Sequence, residues 1–267
     1  MKKKKEIGRI LFPVGLAGLA LVWVMPLIKT VFQSFAERAE DGTLQFGMGQ
    51  YRTILLETPV YLNMYWNSIL ITVMVAAGSI AVSLLGAYAF TRMNFKGKEL
   101  LFFLYIVVML LPLQVTMMPN YLVSRILHME ESYLAIILPA VFNPFGVFLM
   151  RQQMRQVSSE CVEAAKMDGA GEFRIFISVF LPMVRSGIMA LLMLLVIEYW
   201  NLVDQVIIFI RQPERYPLSV FLDQISREME DVSYAAATFY LIPVIVLLCY
   251  GHEYLKEGIG LMNVKER

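Results

Sequence analysis

Residues 161–182 read CVEAAKMDGAGEFRIFISVFLP. They interrupt a chain of long uncharged runs with a segment of small and charged residues. Ser158 and Ser159 suit the N-cap of a helix, and Glu160 and Glu163 put negative charge in its first turn, where the helix dipole favours it. A short helix is predicted from about Ser159 to Asp168, with Val162, Ala165 and Lys166 to one side. Gly169 suits a left-handed C-terminal cap that turns the chain. Ala164, Ala165, Gly169 and Ala170 are small, so another surface could approach closely. A second amphipathic run, Phe173–Leu181, leads to Pro182, a boundary before the next apolar run. The pattern is a helix–turn–helix elbow over 158–182. On these residues alone, a surface loop with an incidental amphipathic helix fits as well.

The flanking sequence sets the class. Of 267 residues, 58% are hydrophobic and 17% charged, and the mean hydropathy is +0.61. A soluble domain carries about 25% charged and about 45–50% apolar residues. Apolar runs long enough to cross a bilayer lie at Ile10–Ile28, Asn67–Phe90, Leu100–Ser124, Ser132–Met150, Met183–Phe209 and Tyr234–Tyr250, the fifth carrying Glu198 and Asp204. The expectation is an all-α membrane protein with six transmembrane helices. Residues 1–66 hold the first span and an outer loop, and residues 67–267 a core of five spans. The first run follows KKKK but lacks a small-x-small cleavage site, so it reads as a retained span. A net charge of +1, with no basic tract beyond Lys2–Lys5, gives no sign of a nucleic-acid partner. Two distant cysteines, Cys161 and Cys249, make no disulfide framework and read as small apolar fillers.

Orientation follows from the basic residues. With six spans and a cytoplasmic N-terminus, sixteen of the 23 Lys and Arg fall on the inner side. Both termini and the elbow are then cytoplasmic.

At the elbow, Glu163-Ala164-Ala165, three residues, Gly169, nine residues, Val179, one residue, Leu181-Pro182 resembles the EAA loop of ABC importer permeases. Val179 stands where Ile is usual. The longer form Glu163-Ala164-Ala165-x-x-Asp168-Gly169-Ala170 is similar to the carbohydrate-uptake, maltose-type branch. Pro144-Phe145-x-Val147-Phe148-Leu149-x-Arg151, Trp200-Asn201, YPLSVFL (216–222) and LKEGIGLMNVK (255–265) extend the likeness over roughly residues 67–265. Leu202 replaces a signature Asp, and Gly260–Asn263 is bulkier than the usual tail.

The resemblance implies a type I ABC importer permease fold and a non-catalytic subunit for a sugar or oligosaccharide. Glu163, Ala164, Ala165, Asp168, Gly169 and Ala170 would form a cytoplasmic coupling helix seated on an ATPase subunit. Implied partners are a second homologous permease, two ATPase subunits, an extracytoplasmic solute-binding protein and membrane lipid, in a bacterial or archaeal cell membrane. ATP and Mg would be bound by the ATPase partner and no cofactor by this chain, which has no G-x-x-x-x-G-K-[ST] phosphate loop. The outer segment Arg211–Val232, with Arg211, Glu214, Arg215 and Asp223, resembles the loop that docks the binding protein.

Polar residues at membrane depth are the other candidates, because such groups face a cavity or a partner. Glu198, Tyr199, Trp200 and Asn201 lie on the fifth run, and Asn143 precedes Pro144 on the fourth. They read as pathway residues, with a structural pair for Glu198, an aromatic belt for Tyr199 and Trp200, and a packing kink at Asn143 as the alternatives. Asp204 reads as interfacial. His128 and His252 are too separated for a metal site or a triad. A stand-alone secondary transporter or channel, with Glu198 as an ion site, is the competing function.

Overall fold

The computed structural model describes residues 2–38, 44–228 and 230–264, with side chains described at 13, 15–37, 45–222, 225 and 232–252. Apart from one short hairpin, the elements among the described residues are helical. The chain forms two compact units, one reaching Leu62 and taking in Phe221–Ile242, the other running over Asn63–Val220 and from Pro243 onward.

The first unit opens with α1 (Lys2–Gln33), in whose apolar stretch Gly15–Gln33 no residue is buried in the protein. Leu19, Leu21, Val22, Trp23 and Met25 are exposed, as suits a helix bathed in lipid tails. A hairpin follows, β1 (Ala36–Arg38) against β2 (Leu44–Phe46), with Glu37 opposite Gln45. Then α2 (Gly49–Arg52) runs into a π-helical turn at Thr53–Glu57. Gln50, a buried amide, ties these pieces together. Its Nε2 donates to the carbonyls of Gln33 and Ala36 at 2.9 and 2.6 Å, and its Oε1 accepts from the Ala235 amide at 3.3 Å. The Tyr61 hydroxyl donates to the Ala236 carbonyl at 2.9 Å.

The second unit is built on α3 (Pro59–Arg92), whose first turn belongs to the first unit. The expected third span is two helices, α4 (Lys98–Met109) and α5 (Leu113–Ile126), bent by 104°. Pro112 lies at the bend with an extended ψ of 144°. Its ring removes a donor and steers the preceding residue out of the helical region, which hydropathy does not register. Next come α6 (Leu134–Val141) and α7 (Pro144–Met154), which together make one 21-residue apolar span. The elbow helix α8 (Ser159–Met167) leads to α9 (Glu172–Ile175), a π-helical turn (Phe176–Phe180) and α10 (Leu181–Met183). The helix boundary falls at Val184, not Pro182, and the chain bends 72° there into α11 (Arg185–Trp200). The expected fifth span, Met183–Phe209, also breaks after Trp200. The Asn201 side-chain amide donates to the Ile197 carbonyl at 2.7 Å, local pairing of the kind that competes with helix. α12 (Asp204–Phe209) starts afresh, so Glu198 and Asp204 stand on different helices. α13 (Leu218–Glu228) and α14 (Glu230–Val264) complete the chain.

Among the described residues, four helices are long and apolar enough to cross a membrane, or up to six spans if each bent pair counts as one. The core of the second unit gathers Ile71 and Val75 of α3, Met150 of α7, Ile175, Leu191 of α11 and Val206 of α12. Small residues let α3 and α7 approach. A Cβ on Gly146 would collide with the Ser83 hydroxyl, and one on Gly86 would come within 3.2 Å of Val147. Close approach of this sort supplies the van der Waals contact that holds helices together where lipid is as apolar as the side chains.

Candidate functional site

The elbow forms as its sequence predicts. The Ser158 hydroxyl caps α8 by accepting from the Glu160 amide at 3.2 Å. Gly169 takes φ +77°, a conformation that a Cβ disfavours. The Gly169 amide donates to the Lys166 carbonyl and the Ala170 amide to the Ala165 carbonyl, both at 3.0 Å. These are the two bonds of a Schellman C-cap, so the turn satisfies the carbonyls that a helix end leaves open.

The cap also sorts the residues by face. Val162 is buried, and Ala165 and Ala170 pack half-buried against the protein's own core. Glu163, Ala164, Asp168 and Gly169 are exposed. The outward face thus shows Ala165 and Ala170 only in part. Two large apolar side chains add to it: Met167 is 90% exposed and Phe173 76%. Cys161 is exposed on α8, and Cys249 is exposed on α14, so neither is a filler.

A polar node joins the elbow to α3. The Tyr88 hydroxyl sits 2.5 Å from the Glu172 carboxylate and 3.2 Å from the Glu172 carbonyl. Lys166 reaches the same carboxylate at 3.3 Å. A second link runs from the end of α7, where Arg151 donates to the Glu99 carboxylate at 3.0 and 3.3 Å and to the Phe90 carbonyl at 3.4 Å. Its guanidinium carbon stands 3.6 Å over the Phe102 ring, a cation–π contact.

The candidate pathway residues separate. Asn143, Glu198 and Tyr199 line a cavity of about 570 Å³ together with Thr116, Asn120 and Gln205. Asn143 and Glu198 also line an adjoining cavity of about 400 Å³. Asn143 caps α7 by accepting from the Phe145 amide at 3.0 Å, so one side chain serves both the kink and the cavity wall. Trp200 lines neither cavity. It is 2% exposed, and its ring meets Tyr65 edge-on at 5.6 Å, which makes it core. Asn201 lines neither cavity as well and is exposed at the helix end.

On the far loops, Arg211, Glu214 and Arg215 are exposed around a short turn at Pro213–Arg215. The side chain of Asp223 lies outside the described residues. Sequence reasoning missed what holds this turn. Arg215 donates to the Glu131 carbonyl at 2.6 Å, and the Tyr133 hydroxyl donates to the Arg215 carbonyl at 3.0 Å. Asn67 donates to the carbonyls of Glu214 and Tyr216 at 3.1 and 3.2 Å. Glu131 itself has φ +60°. A non-glycine residue with positive φ leaves little signal in the sequence.

A chain of apolar helices with an exposed elbow and a cavity whose apolar walls carry a few polar groups fits a transport permease. The chain belongs to the family of binding-protein-dependent transport system inner membrane components, which it matches over residues 79–259. It is 26% identical over 276 residues to the arabinooligosaccharides transport system permease protein AraQ of Halalkalibacterium halodurans, covering 99% of both chains. It is 30% identical to the polygalacturonan/rhamnogalacturonan transport system permease protein YtcP of Bacillus subtilis, covering 92% of this chain and 94% of that one. A chain of a bacterial ABC transporter involved in the import of the acidic polysaccharide alginate superposes with a TM-score of 0.83 at 24% identity, covering 94% of this chain and 97% of that one. The same importer type in complex with an alginate pentasaccharide-bound periplasmic protein matches at a TM-score of 0.68 and 12% identity, over 92% and 94% of the two chains. The protein is therefore a multi-pass, non-catalytic permease subunit, and the stand-alone carrier or channel is not favoured.

Proposed function

We propose that this chain is one of two permease subunits of an ATP-driven importer for a sugar or oligosaccharide, in a bacterial or archaeal cell membrane. The observation that carries the reading is the elbow: a capped helix and left-handed turn that expose Glu163, Asp168, Met167 and Phe173 together. Exposed large apolar side chains rimmed by charge mark a partner-binding surface, and the partner of this surface is a cytoplasmic ATPase that binds ATP and Mg. The names of the relatives support a saccharide. The excess of Lys and Arg in one set of loops supports six spans with both termini cytoplasmic. The turn at Arg211–Arg215, clamped to the Glu131 loop, is then extracytoplasmic and receives the solute-binding protein. The cavity lined by Asn143, Glu198 and Tyr199 is this chain's share of the translocation path.

Purification of the tagged chain from its own membranes in mild detergent tests the reading. An ABC-type ATPase and a second permease are expected in the complex. A stable lone chain, with neither subunit retained after cross-linking in the membrane, would overturn it.

A further inference from the structure

Glu198 gives the larger cavity a charge that nothing in its lining balances. The other polar groups around it are Tyr105, Thr116, Asn120, Asn143, Tyr199 and Gln205, all uncharged, and no Lys, Arg or His is among the described lining residues. The four ion pairs of the described residues involve other side chains. Glu198 is exposed to this cavity and to the adjoining one. A carboxylate without a counter-cation, in a cleft with apolar walls, concentrates negative potential over the space it faces. Pores use rings of one sign in this way to exclude ions of that sign.

We propose that Glu198 fixes the charge class of the cargo: the path accepts a neutral saccharide and repels one bearing uronate or phosphate groups. The amides and hydroxyls around the cavity can both donate to and accept from sugar hydroxyls, and the carboxylate accepts from them. None of these groups offers the fork of donors that holds a carboxylate or a phosphate. Family membership does not decide the matter, because the relatives' names run from arabinooligosaccharides to sn-glycerol-3-phosphate and the solved importer carries an acidic polysaccharide. The inference rests on the cavity being the translocation path.

The test reads the potential directly in the assembled complex. Cys161 and Cys249 are replaced by serine, and Asn120→Cys and, separately, Asn143→Cys place a thiol in the cavity. Each is modified with a cationic (trimethylammonioethyl) and an anionic (sulfonatoethyl) methanethiosulfonate, and the rates are scaled to those with free cysteine. The cationic reagent is expected to be favoured about tenfold or more, the lower end of focusing in a singly charged cleft. Glu198→Gln is expected to bring the ratio close to one. A ratio near one with Glu198 present, or one unchanged by Glu198→Gln, would overturn the charge selection. No reaction with either reagent at either thiol, in any nucleotide state, would instead show a cavity closed to water. That result removes the path reading and the inference with it.

Discussion

The Tyr88 hydroxyl donates to the Glu172 carboxylate across 2.5 Å, and the other carboxylate oxygen takes the Lys166 ammonium at 3.3 Å. Three elements thus meet at one point: α3, the last turn of α8 and the first residue of α9. Edge-on contacts with Phe176 and Phe180, at 5.1 and 5.2 Å between ring centroids, fix the Tyr88 ring. The node thereby ties α8 directly to the long apolar helix α3, the contact through which a displacement of α8 is expected to reach it.

Tyr88→Phe keeps the ring and deletes the hydrogen bond, a loss of about 1 kcal/mol. Complex yield is expected to stay normal while the ratio of ATP hydrolysed to solute imported rises about two- to fivefold, in line with that loss. Glu172→Gln, which can still accept from Tyr88 but loses Lys166, is expected to fall between. Stoichiometry in proteoliposomes is the readout, and an unchanged ratio in Tyr88→Phe would remove the node from the coupling route.

Gly169→Val puts a β-branched side chain at φ +77°, at a cost of about 1–2 kcal/mol. No neighbouring atom lies within 4 Å of the added Cβ, so the effect is on the backbone turn alone. Membrane insertion is expected to be normal and uptake lost. Gly169→Asn, which tolerates the left-handed region, is expected to retain most uptake. Equal loss in both variants would mean that bulk, not backbone conformation, is what the turn cannot accept.

Arg151 is the buried partner of its ion pair, 7% exposed at the side chain against 76% for Glu99. Arg151→Leu removes the carboxylate contact, the Phe90 carbonyl bond and the cation–π contact, and is expected to destabilise by about 2 kcal/mol. Glu99→Gln removes only a screened charge and is expected to cost about 0.5 kcal/mol. Thermal unfolding in detergent checks the order of the two, and a larger drop for Glu99→Gln would contradict it.

Much of this was legible in the sequence where a signal is local. Ser158, Glu160, Gly169 and the small residues between them declared the elbow, because caps and left-handed turns depend on residues a few positions apart. The apolar runs marked where the long apolar helices lie. The breaks at Pro112 and after Trp200 escaped, since hydropathy averages over composition and does not see a dihedral angle. Trp200 read as a belt or stacking residue because its aromatic partner, Tyr65, lies far back on α3. Gln50 and Glu131 were missed for a related reason: their partners include the backbone of Ala235 and the side chain of Arg215. Pairings across so many residues have no periodicity to betray them.

Deletion of Pro213–Tyr216 removes the turn that Asn67, Glu131 and Tyr133 hold in place. Stimulation of ATP hydrolysis by the loaded solute-binding protein is expected to vanish while basal hydrolysis persists. Reversing the charges with Arg211→Glu and Arg215→Glu is expected to slow association about tenfold or more at low salt, the usual signature of steering between charged surfaces. Stimulation that survives the deletion would move docking elsewhere.

The central claim is that the exposed face of α8 and its turn meets an ATPase subunit, and a cross-link tests it most directly. Met167→Cys places a thiol on the most exposed large apolar side chain of the elbow, in a background with Cys161 and Cys249 replaced by serine. Val162→Cys, on the buried face of the same helix, is the internal control. Glu163→Ala added to Met167→Cys is expected to weaken the contact, because losing one member of an interfacial charge pair costs about 2–5 kcal/mol. The account predicts a cross-link from Met167→Cys to the ATPase whose yield changes with nucleotide state, and none from Val162→Cys. Absence of any cross-link from Met167→Cys in every nucleotide state, with uptake intact, would contradict it.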